Sequence, residues 1–238
     1  MRKIIDNYNF IGESFTKMEV PQGDSVSPKG MLFHLFEKNF ESKKILDIGF
    51  GTGKLGEMIK ENPETKHWEI DGIDGWDVNC FNKQLISKNI YRNIWCGLAQ
   101  DMNHEQYSQY DVVCLLDVIE HLDANTAKWL LRSLFTYIRE DAFLFVSTPL
   151  WFYPQDQIQD GDLEEHLIGV PASSMMALDP IMYSINQPLV GGFIYKKSSI
   201  ELIDLFHPTT QKNFSYEKGM RVARSINMQV NPGVLYKR

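Results

Sequence analysis

Residues able to do chemistry concentrate around one stretch of the chain. Between Ile45 and Gly56, ILDIGFGTGKLG sets Asp47 ahead of Gly49, Gly51, Gly53 and Gly56, where an apolar run stops. Glycines so spaced leave backbone N–H groups bare and let the main chain pass close to a bound group. Two later apolar runs also end in acids, Asp74 in EIDGID and Asp117 in VVCLLD. His121 follows in VIEHL and His166 stands in DLEEHL. Histidine exchanges protons near neutrality, so the set could hold a small ligand at the glycine turn and move a proton beside it. His34, His67, His104 and His207 carry no motif.

Three ligands compete for such a turn. A nucleoside triphosphate needs Gly-Lys-Ser/Thr after a spaced first glycine, but Lys54 is followed by Leu55. A dinucleotide is compatible with the spacing, because Gly51, Gly53 and Gly56 satisfy G-x-G-x-x-G and Asp74 follows about 20 residues on. Asp47 separates the remaining two. A carboxylate at the strand end repels a pyrophosphate, which wants only N–H groups and a helix N-terminus. It suits S-adenosylmethionine, which brings a cationic ammonium and sulfonium.

The elements that must position these residues follow from the rest of the chain. Its 238 residues suffice for one large α/β domain and are awkward for two, so 1–238 is read as a single domain. Twenty-four basic against 31 acidic residues give a net charge of −7, and no Lys/Arg block is long enough to follow a phosphate backbone. Nucleic acid is not an expected partner. No apolar run is long enough to span a bilayer, and MRKIIDNYNF lacks the features of a secretory leader, so no membrane is expected either. Cys80, Cys96 and Cys114 are odd in number and set among apolar residues, which suits buried thiols in a reducing, cytoplasmic compartment.

Strands are expected at KKILDIGF, HWEIDGID, NIWCGLA, YDVVCLLDV and AFLFVSTP. Helices are expected at SPKGMLFHLFEKNF, capped by Ser27, at KLGEMIKEN and at VNCFNKQLISKN. Two more are expected at TAKWLLRSLFTYIRE, with Leu130, Leu131, Leu134 and Ile138 inward, and at the Ser-capped SSIELIDLF. Strand and helix in alternation make an α/β protein with a parallel sheet covered on both faces. The glycine turn then lies at the carboxyl edge, where doubly wound sheets bind ligands.

LDIGFGTG resembles the D-x-G-x-G-x-G motif of class I S-adenosylmethionine-dependent methyltransferases, and the likeness runs through most of residues 1–150. It is nearest the ubiquinone-type small-molecule O-methyltransferase branch. The resemblance implies a doubly wound, mostly parallel seven-stranded sheet with helices on both faces and an antiparallel edge strand near the C-terminus. It also implies S-adenosylmethionine as cofactor, S-adenosylhomocysteine as product, and Asp47, Gly49, Gly51 and Gly53 as cofactor-binding residues. Asp74 would accept both ribose hydroxyls, with Asp71 as the fallback, and Trp76 would cover the adenine. WCGLAQDM is similar to the adenine-edge motif but has Leu98 where an acid is common, which leaves Asp101, Gln100 or backbone for the adenine amino group, with Asp101 preferred. YDVVCLLDVIEHL matches the fourth motif, with Asp117 bordering the methionine end. His121 at the rim and His166 after the fifth strand are the candidate catalytic bases. Residues 1–26 are expected to form an arm over the cofactor.

Residues 150–197 are read as an acceptor-binding insert. Trp151, Phe152, Tyr153, Tyr183 and Tyr195 stand there among Asn, Gln and Asp, a mixture that suits stacking under a polar ring. The expected acceptor is a hydroxyl of a small, sugar-like molecule, foremost a nucleotide-linked sugar of capsule polysaccharide synthesis. A quinone, a lipid precursor or a protein side chain are alternatives, as is a partner subunit that holds cofactor without activity of its own. The insert could equally pack on a second subunit, giving a homodimer. Asp156, Asp160, Asp162 and Glu164 lack calcium-loop spacing, and Ser147, Thr148 and Pro149 stand where a metal-dependent branch carries Asp-Asn. No metal is expected.

Overall fold

The computed structural model describes residues 1–12, 27–159, 161–186, 190–212, 218, 221, 224, 225 and 235–237. Its strands are β1 (Arg2–Asp6), β2 (Asn9–Phe10), β3 (Lys44–Ile48), β4 (Glu69–Asp74), β5 (Asn93–Cys96), β6 (Val112–Leu116), β7 (Phe143–Pro149), β8 (Met182–Asn186), β9 (Val190–Lys196) and β10 (Leu235–Lys237). The helices are α1 (Met31–Leu35), α2 (Lys54–Glu61), α3 (Asp77–Cys80), α4 (Lys83–Ser87), α5 (Ala124–Tyr137) and α6 (Ala172–Met176).

Among the described residues ten strands form one sheet in the order β10-β8-β9-β7-β6-β3-β4-β5-β1-β2. The five central strands, β7 to β5 in that order, pair in parallel. Chain order reverses between β3 and β6, and a cleft at a doubly wound sheet's carboxyl edge forms at that switch point. The α/β class and the parallel centre are as expected, but the sheet exceeds the seven strands the resemblance implied.

The additional strands have local causes. RKIID buries Ile4 and Ile5 and pairs antiparallel with β5 through a register shift between Lys3 and Ile5, and Asn7 and Tyr8, both at positive φ (45° and 66°), turn the chain back into β2. Residues 1–12 therefore extend the sheet edge, and 13–26, the rest of the expected arm, lie outside the described residues. On the other side, β9 lies antiparallel between β7 and β8. Much of the segment read as an insert is thus sheet, and 150–181 remains as the excursion. β10 supplies the expected antiparallel edge strand.

Helices fill both faces. Asp123 caps α5 by accepting the Asn125 and Thr126 amides at 2.9 and 3.2 Å. Its stripe of Leu130, Leu131 and Leu134 is buried with Leu46, Ile48, Val113 and Leu115. The opposite face of the sheet packs Ile45, Phe50, Leu55, Ile59, Leu85 and Tyr91. The helix expected over 78–89 is broken, because Asn82 accepts the Gln84 amide at 2.9 Å and starts a new helix. The segment expected to begin as an α-helix at Ser27 is a 3₁₀ turn over Ser27–Gly30 before the short α1, and Lys197–Leu205 is 3₁₀ without a side-chain cap. Cys80, Cys96 and Cys114 are buried, free thiols.

Candidate functional site

The β3 to α2 turn is built from three left-handed glycines, Gly49, Gly51 and Gly53, at φ 68°, 53° and 80°. They do different work. A Cβ on Gly49 would sit 2.4 Å from Val118, and one on Gly53 would sit 2.3 Å from Leu85, so both positions are bare for packing. A Cβ on Gly51 would meet nothing within 4 Å. It faces a cleft of about 680 Å³, which Gly49 and Thr52 also line, a volume suited to a small-molecule ligand. Gly53, expected to bind cofactor, does not line the cleft and instead opens helix α2.

Asp74 ends β4 at the cleft wall and is buried. Its Oδ2 accepts the Gly51 amide at 2.9 Å and its Oδ1 the Trp76 amide at 2.8 Å. Asn79 Nδ2 reaches both oxygens at 3.2 Å. Burial raises its pKa, opposed by the Trp76, Gly51 and Asn79 bonds. Trp76, Gly97, Leu98, Ala99 and Gln100 continue the wall. Asp101 does not, being exposed at the end of the Ala99–Asp101 turn, so Gln100 holds the place expected for it.

Asp47 is also corrected. Side chains alternate along a strand, and Ile48 lines the cleft while Asp47 shares the opposite face with Ile45. Its buried carboxylate accepts the Tyr91 hydroxyl at 2.8 Å. The fallback Asp71 lies deeper in β4, gripped by Arg92 at 2.9 and 2.5 Å and by Tyr110 at 2.9 Å.

Asp117 lines the cleft after β6 with a left-handed φ of 55°. Ser147 Oγ donates to its Oδ1 at 3.0 Å, and the buried Lys29 ammonium lies 4.0 Å from Oδ2. Glu120, His121, His166, Tyr153, Gln155 and Glu164 line the same cleft. The loop carrying His166 hangs on the earlier one, since the Leu167 and Ile168 amides donate to the Glu120 carbonyl at 2.8 and 3.2 Å. The two imidazoles meet edge to face with centroids 4.6 Å apart. Burial, then the neighbouring His166, pushes the His121 pKa down to about 4, and burial lowers that of His166. Both rings are neutral near pH 7.

Glu120 was missed, although VIEHL contains it. Its carboxyl is buried, Oε2 accepts the Thr148 hydroxyl at 3.0 Å, and Oε1 has no hydrogen-bond partner among the described residues. Burial, then Asp117, raises its pKa well above the usual range. Of the aromatic residues assigned to acceptor binding, Tyr153 alone lines the cleft. Tyr195 is buried and donates to the Met175 carbonyl at 2.9 Å, Phe152 is buried, and Trp151 and Tyr183 pack against the core. Asp162 accepts the Ile158, Gln159 and Glu164 amides and shapes its own loop, and Asp160 lies outside the described residues.

Parts of the chain are similar to known proteins. Ubiquinone biosynthesis O-methyltransferase from Pseudomonas savastanoi pv. phaseolicola is 31% identical over 111 residues, 44% of either chain. The match thus spans less than half the length of this curated relative. The PH0226 protein from Pyrococcus horikoshii OT3 superposes with a TM-score of 0.48 at 13% identity, covering 71% of this chain and 88% of that one. The N-terminal domain of EvdMO1, solved with SAH and D-fucose, gives 0.49 at 12% identity over 72% of this chain and 82% of its own. Residues 29–173, more than half of the 238, match the family described as Methyltransferase domain, and they contain the glycine turn, Asp74, Asp117 and both histidines. On that match the chain belongs to the class I S-adenosylmethionine-dependent methyltransferases.

Proposed function

We propose that this chain transfers a methyl group from S-adenosylmethionine to a hydroxyl oxygen of a small polar acceptor. The observation that carries the reading is the open space over Gly51 beside Asp74, in the cleft that two neutral imidazoles also line. Bound there, the cofactor supplies a methyl on a sulfonium: the new O–C bond forms as S–C breaks, the acceptor hydroxyl gives up its proton, and S-adenosylhomocysteine leaves as a neutral thioether.

The chain's own residues bind, align and take up the proton. Asp74 offers carboxylate oxygen to the ribose hydroxyls, Trp76 covers the adenine and Gln100 reaches its edge, while Asp117 borders the methionine end. Alignment of oxygen, methyl and sulfur supplies much of the rate. A hydroxyl is a poor nucleophile until deprotonated, and in this reading a neutral ring nitrogen of His121 or His166 takes up the proton. Tyr153, Gln155 and Glu164 add a ring face, an amide and a carboxylate to the same cleft, a lining suited to a sugar-like acceptor such as a nucleotide-linked sugar of capsule synthesis. A quinol-type aromatic hydroxyl is the second reading, favoured by the ubiquinone biosynthesis relatives.

Titration calorimetry with S-adenosylhomocysteine comes first, then turnover with S-adenosylmethionine against nucleotide sugars and catechol-like phenols. Binding with turnover of a sugar supports the proposal, and turnover of phenols alone moves it to the second reading. No binding at all refutes it.

A further inference from the structure

Glu120, His121 and His166 offer one donor atom each, all within 4.8 Å of one another. We propose that these three side chains, which all line the cleft, hold a divalent first-row transition-metal ion there. Two imidazoles and one carboxylate favour borderline ions of the manganese-to-zinc series over magnesium or calcium, which prefer all-oxygen shells.

The tautomers are already set. His121 Nδ1 lies 3.1 Å from the Glu165 carbonyl and His166 Nδ1 lies 2.7 Å from the Tyr153 carbonyl. Each Nδ1–H donates there, which leaves the lone pair on Nε2. Backbone carbonyls used in this way orient metal-binding histidines and raise their basicity. The third donor is held in the same manner, since Thr148 fixes one oxygen of Glu120 while the buried Oε1 has no hydrogen-bond partner among the described residues. A buried carboxyl oxygen left so is costly, and a cation would satisfy it. Zinc-like bonds of about 2.0–2.2 Å put donors roughly 3.4 Å apart, so each pair need close by no more than about 1.5 Å. Three protein ligands leave an open position, as in catalytic metal sites, and all three residues line the cleft. Backbone bonds from Leu167 and Ile168 to Glu120 hold the two ligand loops together before any ion arrives.

Occupancy does not depend on the methyl-transfer reading; only the consequence does, because an ion there would occupy the Nε2 lone pairs and replace the histidines as the group that eases loss of the acceptor hydroxyl's proton. The test is titration of chelator-stripped protein with cobalt(II), followed by its visible d–d absorption, and with zinc by calorimetry. S-adenosylhomocysteine is titrated into the same samples. Expected are one ion per chain, affinity weakened at least tenfold in Glu120→Gln, His121→Ala and His166→Ala, and no change in His207→Ala. No d–d band in the wild-type protein overturns the proposal, as does uptake untouched by all three substitutions. The wild-type spectrum decides even where a variant fails to fold. Metal uptake without S-adenosylhomocysteine binding upholds the metal site and refutes the methyl-transfer reading instead.

Discussion

The Asp74 carboxylate accepts the Gly51 amide at 2.9 Å, so the acid ending β4 is tied to the turn that follows β3. One residue thereby braces the backbone a ligand must approach, from a position that itself lines the cleft. The three glycines of the turn predict different phenotypes. Gly51→Val places its side chain in open space within the cleft and costs about 1–2 kcal/mol for the left-handed backbone. It should abolish S-adenosylhomocysteine binding in calorimetry with a small fall in melting temperature. Gly53→Ala adds a contact 2.3 Å from Leu85 to the same strain and should lose stability first, by about 2–4 kcal/mol in all. Undiminished affinity in Gly51→Val would remove the turn from the binding site.

Asp74 also predicts a pH dependence. Burial raises its pKa despite the amide bonds it accepts, so it takes up a proton at a higher pH than an ordinary aspartate. The protonated form loses acceptor capacity for two ribose hydroxyls. S-adenosylhomocysteine affinity should therefore weaken as pH falls through the acid range, beginning above the ordinary aspartate value. Asp74→Asn should bind more weakly at neutral pH, by about 1–3 kcal/mol, and its affinity should be flat over the same range. An equally flat wild-type profile would place the ribose elsewhere.

What was legible in the sequence, and what was not, divides by range. Gly51, Asp74, Trp76 and Asp117 follow from local pattern, because an apolar run that ends in a turn must deliver its last residues to the sheet edge. Asp47 was misassigned against the same rule: two-residue alternation puts it opposite Ile48. Asp101 was lost to a 3₁₀ turn that carries it outward while Gln100 stays in. Glu120 reads as a surface acid beside His121, and its burial arises only when the loop carrying His166 docks from 46 positions along the chain. The strands MYSIN and VGGFIYK are as aromatic as an acceptor loop would be, and nothing local says that they pair with β7. RKIID has no alternation that marks a strand, since Ile4 and Ile5 are adjacent and both buried, and its partner β5 is about 90 residues away.

The histidine pair predicts a split between binding and turnover. His121 and His166 bond the Glu165 and Tyr153 carbonyls, and among the described residues neither touches the glycine turn or Asp74 through a hydrogen bond, so in the proposed roles neither contributes to S-adenosylhomocysteine affinity. Removal of His166 should lower the rate of S-adenosylhomocysteine formation about 100-fold or more, with calorimetric affinity for the cofactor product kept. His121→Ala should behave alike. Full turnover in both variants would mean that the acceptor arrives already ionised or needs no base.

Asp71 separates a ribose ligand from a structural acid. Arg92 reaches it through Nε and Nη2 at 2.9 and 2.5 Å, Tyr110 donates at 2.9 Å and Asn93 at 2.9 Å, and, unlike Asp74, it does not line the cleft. Asp71→Ala leaves Arg92, whose side chain is 19% exposed, with Glu69 as its remaining partner of the two acids. Loss of one member of a buried pair costs about 3–5 kcal/mol, and the retained Glu69 contact should hold this case near the lower end. Urea denaturation should show that loss, while S-adenosylhomocysteine affinity of the folded fraction stays within about twofold. Asp71→Asn keeps the shape and one acceptor, and should recover part of the stability. A tenfold loss of cofactor affinity in a fully folded Asp71 variant would instead return the ribose to this position, because a structural acid beneath the site has no direct contact through which to act.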